Sequence, residues 1–300
     1  METTFDRLTI QNDFLFKKVM ENKRICKRLI EEILQIRIET LTFVEVEKSV
    51  TIYQSSKGIR MDVIAQDENH TRYNIEMQAA DVIHTATHES LLPKRTRYYQ
   101  AMMDMDMLQK GDSYDKLAET YIIFICGFDL FAKGQYTYTF QKRCHEDLSL
   151  ILPDKTTILF LNARGTHGNV TAHIKNFLQY MREHIISDDF TKEIDNEIIR
   201  IKQDRRLRGE YMKYEMNLHD ERMLGYQQGI AKGFEKGMTS TIIGMIREGI
   251  DFSVIAKITS YSIEQIQQIA KDNQRRRTRI NRKRFSEPWT ALTPRIWRRL

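Results

Sequence analysis

Two short apolar stretches that carry acidic residues constrain the fold of this chain more than any other feature. Residues 59–66 and 72–78 are rich in Ile, Val, Met and Tyr, and the polar segment Asp67–His70 separates them. Two such stretches joined by a polar turn predict a β-hairpin. Because side chains alternate between the two faces of a strand, Glu76 and Gln78 point the same way. The hairpin is therefore expected to present polar groups within an otherwise apolar pair of strands.

The expected register of this hairpin brings two carboxylates together. If Gln66 pairs with Arg72 across the turn, Asp62 lies directly opposite Glu76. Facing carboxylates destabilise a strand pair, and one of them is driven to bind a proton unless a cation is present. Mg²⁺ binds one or two carboxylates together with water and phosphate oxygens, and the backbone carbonyl of Met77 adds a further oxygen. The pattern predicts a half-open metal site suited to phosphodiester hydrolysis.

An alternative to the metal site is that Asp62 and Glu76 are solvent-facing side chains of two ordinary strands, because such residues can have the same spacing. The neighbouring residues favour the metal site, because Asp62 lies between Met61 and Val63, and Glu76 follows Ile75. A charge inside an apolar strand is costly unless it has a partner.

The pattern of the first 165 or so residues indicates an α/β domain. Apolar positions at helical spacing predict a helix over residues 12–36, and Val, Thr and Ile predict a strand over Phe43–Tyr53. After the hairpin, residues 86–110 have helical character, and Tyr121–Cys126 is a continuous apolar run typical of a buried strand. The order helix, three strands, helix, strand predicts helices packed against a mixed sheet.

Four sequence stretches occur in an order that is itself informative. They are Asn12–Lys18 (NDFLFKK), Arg60–Val63 (RMDV), Asn74–Gln78 (NIEMQ) and Lys94–Tyr99 (KRTRYY), the last running on to Lys110–Tyr114 (KGDSY). Over residues 8–165 the chain resembles the recombination-promoting nuclease (Rpn) family, also known as PD-(D/E)xK nuclease family transposases. The resemblance implies a restriction-endonuclease-like PD-(D/E)xK core, in which helices flank a mixed central sheet, with a helical C-terminal extension.

The resemblance also implies roles for the residues of the hairpin. Asp62 and Glu76 would be metal ligands, and Asp62, Glu76 and Gln78 would form the catalytic set. Gln78 stands where most PD-(D/E)xK nucleases carry lysine. A neutral amide can orient water by hydrogen bonds but supplies no positive charge, so we expect slow or conditional cleavage.

A further acidic ligand is expected from the N-terminal helices. Asp13 matches the acid of the family's first helix and would complete the metal site, with Glu31 and Glu32 as alternatives. Asp13 would equally serve, as Asn12 would, to cap the first helix.

The helix after the hairpin offers contacts to DNA. Arg95 would bind a phosphate group, whereas Tyr98 and Tyr99 serve either the site or the core. His84 and His88 have the i, i+4 spacing of a metal pair, but no third ligand stands near them in the sequence, so a solvated helix start is expected.

The chain beyond residue 165 divides into three parts. Residues 166–238 are helical and highly charged, residues 239–272 form a small unit of three short helices, and residues 273–300 form a basic tail. Glycine recurs every fourth residue at Gly225, Gly229, Gly233 and Gly237. On a helix such a stripe lets two backbones approach closely, although each glycine costs about 1 kcal/mol of helix propensity. The segment Gly225–Gly237 predicts either a dimerisation helix or a flexible linker.

The net charge of +6 resides in the tail. From Asn273 onward there are ten basic side chains and one acidic, a net charge of +9, which leaves −3 for the residues before it. Arg275, Arg276 and Arg277 would bind a phosphate backbone without sequence preference. The tail is expected to be disordered, and is either a DNA-binding arm or an extension without a role.

The composition restricts where such a protein acts. No apolar run is long enough to span a membrane, and the N-terminus lacks the features of a signal peptide. Three cysteines without metal-ligand spacing indicate reduced thiols in the cytoplasm.

The sequence therefore predicts a Mg²⁺-dependent DNA endonuclease active in recombination or mobile-element biology, in which Mn²⁺ or Ca²⁺ would act as modulating ions. The alternative is a weak or inactive protein that keeps the nuclease fold for DNA binding or protein interaction. A nuclease toxin or a phage-defence effector would use the same site.

Overall fold

The structure is a computed structural model that describes residues 4–50, 58–81, 83 and 89–273. Within these ranges the secondary structure in chain order is α1 (Asp13–Met20), α2 (Lys23–Leu34), β1 (Leu41–Val50), β2 (Ile59–Asp67), β3 (Arg72–Gln78), α3 (Leu92–Met107), β4 (Thr120–Cys126), β5 (Thr137–Phe140), β6 (Thr156–Asn162), α4 (Ala172–Glu183), α5 (Asp189–Gln203), α6 (Arg205–Arg247), α7 (Phe252–Thr259) and α8 (residues 263–273).

Six of these strands form one mixed sheet in the order β1-β2-β3-β4-β6-β5. The first three pair antiparallel as neighbours in sequence, β3, β4 and β6 run parallel, and β5 pairs antiparallel with β6 at the far edge. Helices flank the sheet, so the predicted α/β fold with a mixed central sheet and a helical C-terminal region is confirmed.

Strands β5 and β6 were not predicted from the sequence. β6 lies between β4 and β5, and its last four residues are buried. A short apolar run of this kind cannot be told from a helical segment by periodicity. β5 has only four residues, all partly or fully exposed, so its sequence carries little hydrophobic signal.

The turn between β2 and β3 fixes the register of the hairpin. The Asp67 Oδ1 atom accepts hydrogen bonds from the backbone N–H groups of Asn69 and Thr71, both at 2.9 Å. An aspartate that bonds backbone groups two and four residues ahead stabilises a tight polar turn. Gln66 pairs with Arg72 across this turn, so the predicted hairpin and its register are confirmed.

The predicted helix over residues 12–36 is in fact two helices. The side chain of Asn12 caps α1, and the side chain of Asn22 caps α2. Asparagine at an N-cap satisfies backbone N–H groups that have no partner within the helix. The second cap therefore starts a new helix at Lys23, three residues after α1 ends at Met20.

Helix α3 packs on one face of the sheet. Its Tyr99 and Met102 side chains join a buried cluster with Ile122 and Phe124 of β4. Because side chains alternate along a strand, the buried Ile123 faces the opposite side. Both faces of β4 are thus covered, which explains its continuous apolar sequence.

Helices α4 and α5 belong to the same compact unit as the sheet, which extends to Met212. The structure therefore departs from the predicted boundary at residue 165. The reason is that both helices are amphipathic: Phe177, Phe190 and Ile194 are fully buried, and the helices contact α1 and α2. Their polar sequence reflects only their outer faces.

The second unit begins at Lys213 and contains most of the 43-residue helix α6. The end of α6, α7 and α8 enclose a small core of Ile242, Ile255 and Ile266. The predicted three-helix unit is present, but its first helix is the end of α6 rather than a separate element. None of the helices in the described ranges is long and apolar enough to cross a membrane.

Candidate active site

Strands β2 and β3 bring Asp62 and Glu76 into direct contact. The backbone N–H of Asp62 donates a hydrogen bond to Glu76 Oε1 at 2.9 Å, and the backbone N–H of Met77 donates to Asp62 Oδ2 at 3.2 Å. Glu76 is 0% exposed and Asp62 is 7% exposed. The hairpin therefore buries two carboxyl groups at one point, and each is fixed by the backbone of the opposite strand.

Burial and mutual repulsion disfavour two negative charges at this point. Burial, followed by the charge of Asp13, raises the pKa of Asp62 to about 6, although Lys17 lowers it. Burial, followed by the charge of Asp62, raises the pKa of Glu76 to about 8, although Arg95 lowers it. The pair therefore holds a proton at neutral pH unless a further cation binds.

Helix α1 contributes an acid and a base to the same cluster. Asn12, and not Asp13, caps the helix. Asp13 Oδ2 lies 2.6 Å from Lys17 Nζ, which is also 3.4 Å from Asp62 Oδ1. The Lys17 side chain is only 3% exposed. Although burial lowers the pKa of Lys17, the charges of Asp62 and Asp13 and hydrogen bonds to Asp13 and Glu47 together raise it.

Strand β1 adds a fourth carboxyl group. Glu47 Oε1 lies 3.1 Å from Lys17 Nζ. Glu47 has a φ of +58°, a left-handed conformation that costs a non-glycine residue about 1–3 kcal/mol. Its neighbours Val46 and Lys48 pair with residues on either side of Asp62, so Glu47 lies at the level of that residue. Strain of this kind is characteristic of functional sites.

Helix α3 supplies the second cation. The Arg95 guanidinium donates to Glu76 Oε2 at 2.9 Å and to Gln78 Oε1 at 3.3 Å. It also donates to the Tyr99 hydroxyl through Nε at 2.9 Å and Nη2 at 2.7 Å. Tyr99 is both a core residue, 4% exposed, and a partner of this site, whereas Tyr98 is a partly buried residue that packs against the α3 cluster. Arg95 thus holds Glu76 and Gln78 in place.

The charges of this cluster fit a divalent cation. Four carboxyl groups, when ionised, face two basic groups, so two negative charges remain. The carboxyl groups belong to Asp13, Glu47, Asp62 and Glu76, and the basic groups to Lys17 and Arg95. Carboxylate oxygens are the donors that Mg²⁺ and similar hard cations prefer.

Some of the predicted residues lie elsewhere. Glu31 Oε1 accepts a hydrogen bond from the backbone N–H of Ile38, and Glu32 lines a cavity together with Tyr121 and Thr157. The carbonyl of Met77 stays a predicted ligand. Three arginines and two histidines of the prediction, Arg275, Arg276, Arg277, His84 and His88, lie outside the described residues.

Sequence reasoning missed Lys17 and Glu47. Lys17 has a recognisable signal, because it follows Asp13 by four residues and stands among the buried residues Phe16 and Val19. A lysine on the apolar face of a helix needs a partner. Glu47 has no such signal, since only the tertiary fold brings β1 to α1.

A second group of candidate ligands lies far from the hairpin in sequence, at His173, Asp188 and Asp189. Asp188 caps α5 through the Thr191 backbone N–H. Burial raises its pKa, but hydrogen bonds from Thr191, Asn176 and His173 outweigh burial and lower the pKa to about 2. Asp189 pairs with Arg28 at 2.7 Å. The cluster is therefore explained by the N-cap of α5, which Asp188 forms, and by the ion pair between Asp189 and Arg28.

A mixed sheet flanked by helices, with an aspartate on one strand and a Glu-x-Gln sequence on the next, defines a protein of the PD-(D/E)xK nuclease fold. The chain belongs to the PD-(D/E)XK nuclease family transposases, whose family model matches residues 10–222. The match includes the whole sheet and helices α1 to α5. No curated protein and no solved structure gives a significant match to the chain.

Proposed function

We propose that this protein is a Mg²⁺-dependent DNA endonuclease that hydrolyses phosphodiester bonds. The observation that carries the proposal is the buried contact between Asp62 and Glu76, surrounded by further acids and by two cations. Burying like charges side by side destabilises a fold. A site that binds a divalent cation and a phosphate accounts for this arrangement.

The ion would be held by Asp62 and Glu76, with the Met77 carbonyl and the carboxylates of Asp13 and Glu47 completing the set. When bound, the cation supplies positive charge that lowers the pKa of a water molecule and stabilises the leaving oxygen of the phosphodiester. Binding also displaces the proton that the raised pKa values of Asp62 and Glu76 retain, so affinity should increase with pH. Mn²⁺ and Ca²⁺ are expected to bind at the same site and to modulate cleavage.

The remaining residues orient the reactants. Arg95 holds the oxygen of the Gln78 amide, so the amide nitrogen is the atom that can donate a hydrogen bond to water or phosphate. The Arg95 side chain is 30% exposed, which leaves part of its charge accessible to a DNA phosphate. Arg275, Arg276 and Arg277 of the tail would add non-specific phosphate contacts.

The biological setting is part of the proposal. A DNA endonuclease of this family would act in the cytoplasm, in recombination or mobile-element biology, and the three free cysteines are compatible with a reducing compartment. A toxin or defence nuclease would use the same residues. The alternative is a weakly active or inactive interaction protein, favoured by the neutral Gln78 and by the Arg95 contact to Glu76.

Cleavage of supercoiled plasmid tests the proposal. Purified protein should nick or linearise the plasmid with Mg²⁺ and leave it intact with EDTA. Asp62→Ala and Glu76→Ala should each abolish cleavage, whereas Glu32→Ala, which lies elsewhere in the same domain, should retain it. Activity that survives both site substitutions rules out this site, and a wild-type chain without activity favours the interaction protein.

We also propose that the protein forms a homodimer through helix α6. Met223, Tyr226, Ile230 and Phe234 are exposed and recur at helical spacing on one side of it. Among the described residues, a Cβ atom added at any of the four spaced glycines, Gly225 to Gly237, would meet no atom within 4 Å beyond its chain neighbours and the nearby backbone of its own helix. We infer that a second α6 helix covers this side.

Light scattering on the full chain tests the dimer. The wild type should have the mass of two chains, and the double variant Ile230→Glu/Phe234→Glu the mass of one. Gln228→Glu, on the other side of the helix, is the control and should remain dimeric. A monomeric wild type at micromolar concentration excludes the dimer.

A further inference from the structure

The buried ammonium group of Lys17 is a part of the site that neither the sequence pattern nor the proposed ligand set uses. Its Nζ atom lies 2.6 Å from Asp13, 3.1 Å from Glu47 and 3.4 Å from Asp62. The whole side chain is 3% exposed. Lysine is among the residues least often fully buried, and removing its charge from water costs several kcal/mol.

The next residue in the helix shows what an ordinary lysine does in α1. Lys18 has a 20% exposed side chain and pairs with Glu21 and Glu210 at the protein surface. Stability alone does not require a buried ammonium, because a well-packed apolar side chain in place of a buried ion pair is often neutral or stabilising. The position of Lys17 beside Asp62 therefore calls for a role in the chemistry of the site.

The chemistry of phosphodiester hydrolysis specifies such a role. The reacting phosphate gains negative charge, and the attacking water must be held in line with the leaving oxygen. Gln78 is neutral, and the Arg95 guanidinium lies on the Glu76 side of the cluster, where it bonds Glu76, Gln78 and Tyr99. Lys17 brings three N–H donors and a full positive charge to the Asp62 side of the cluster.

We propose that Lys17 is the catalytic lysine of this nuclease, supplied by helix α1 instead of by the strand position that Gln78 occupies. The inference rests on the proposed function. The water oxygen bonds to phosphorus while the bond to the leaving ester oxygen breaks. One water proton is lost to solvent, and the leaving oxygen takes up a proton from solvent. Lys17 transfers no proton: as an ammonium it orients the water and offsets the charge on the phosphate.

The test compares Lys17→Met with Lys18→Met, its matched control, in the full-length chain. Lys17→Met keeps the length and apolar character of the buried stem. Its cleavage rate should fall about 100-fold or more, the loss found when one charge-stabilising donor is removed from an active site. Mn²⁺ affinity, measured by calorimetry, should be unchanged or higher, because a positive charge beside the carboxylates is gone. Lys18→Met should cleave at the wild-type rate.

A second variant separates charge from structure. In Lys17→Met/Gln78→Lys the lysine moves to the strand, and the cleavage rate should rise at least tenfold above that of Lys17→Met. Equal cleavage by Lys17→Met and Lys18→Met overturns the inference alone, because the wild type still cleaves. Loss of Mn²⁺ binding in parallel with cleavage, or no gain in the double variant, also overturns it. A wild-type chain that does not cleave DNA with metal overturns the proposed function and this inference together.

Discussion

The backbone N–H of Asp62 donates a 2.9 Å hydrogen bond to the Glu76 carboxyl group, so the two acidic residues are linked by the same strand pairing that forms the sheet. A shift of one residue in this pairing would move every side chain of β3 to the other face of the sheet. The register of the hairpin therefore determines the geometry of the candidate site.

Glu76→Gln should remove a pH dependence from the stability of the metal-free protein. Burial and then the charge of Asp62 raise the pKa of Glu76 from 4.5 to about 8. The folded state therefore holds a proton that the unfolded chain has lost, and stability falls as pH rises from about 4.5 to about 8. In EDTA, urea unfolding of the variant should show a flatter profile, more stable than wild type at pH 8 by on the order of a few kcal/mol. Parallel profiles would contradict this.

Divalent cations should stabilise the wild-type protein and not the Glu76→Gln variant. A ligand at about 100 times its Kd stabilises the folded state by about 2.7 kcal/mol. Thermal unfolding with and without Mg²⁺ or Mn²⁺ measures the effect, and Glu32→Ala is the control that should respond like wild type. An equal response in Glu76→Gln would place the ion elsewhere.

Arg95→Ala should destabilise the fold and make its pH dependence steeper. The substitution removes the cation that lowers the pKa of the buried Glu76, and it leaves the Tyr99 hydroxyl without two hydrogen bonds. The expected loss is about 1–3 kcal/mol at neutral pH. Arg97→Ala, an exposed residue of the same helix, should change stability by no more than about 0.5 kcal/mol. A similar loss in both variants would argue against a specific Arg95 contact.

Asn74→Leu should stabilise the protein. Asn74 is fully buried in β3, and neither atom of its amide has a hydrogen-bond partner among the described residues. Each unsatisfied buried polar group costs about 1–3 kcal/mol, which an isosteric apolar side chain recovers in part. Asn162→Leu is the contrast, since that buried amide bonds Gln135 and Arg164 and its loss should destabilise. Urea unfolding of both variants decides the matter.

Asp188→Ala should cost stability without affecting the metal. Its carboxylate caps α5, and loss of such a cap costs about 0.5–2 kcal/mol. Because its pKa lies near 2, this contribution persists at every pH above the unfolded value of 3.8 and disappears as the pH falls through 2. Plasmid cleavage and Mn²⁺ affinity should match wild type. A drop in metal affinity would assign an ion to the group of His173, Asp188 and Asp189.

The sequence by itself determined the hairpin and the contact between Asp62 and Glu76. A polar turn around Asp67 sets which residues face each other, and strand alternation sets which side each faces, so both follow from local rules. The membership in the PD-(D/E)XK family and the mixed α/β fold follow from the same segment and its neighbours.

Only the tertiary structure decided what surrounds that pair. Lys17 contacts Asp62, and Glu47 contacts Lys17, because α1 and β1 lie against β2, and no local rule encodes contacts between elements distant in sequence. The same holds for β6, whose place between β4 and β5 depends on pairing across the whole domain. Hydrophobic burial drives such packing without direction, so the residues that complete this site are known only once the chain is folded.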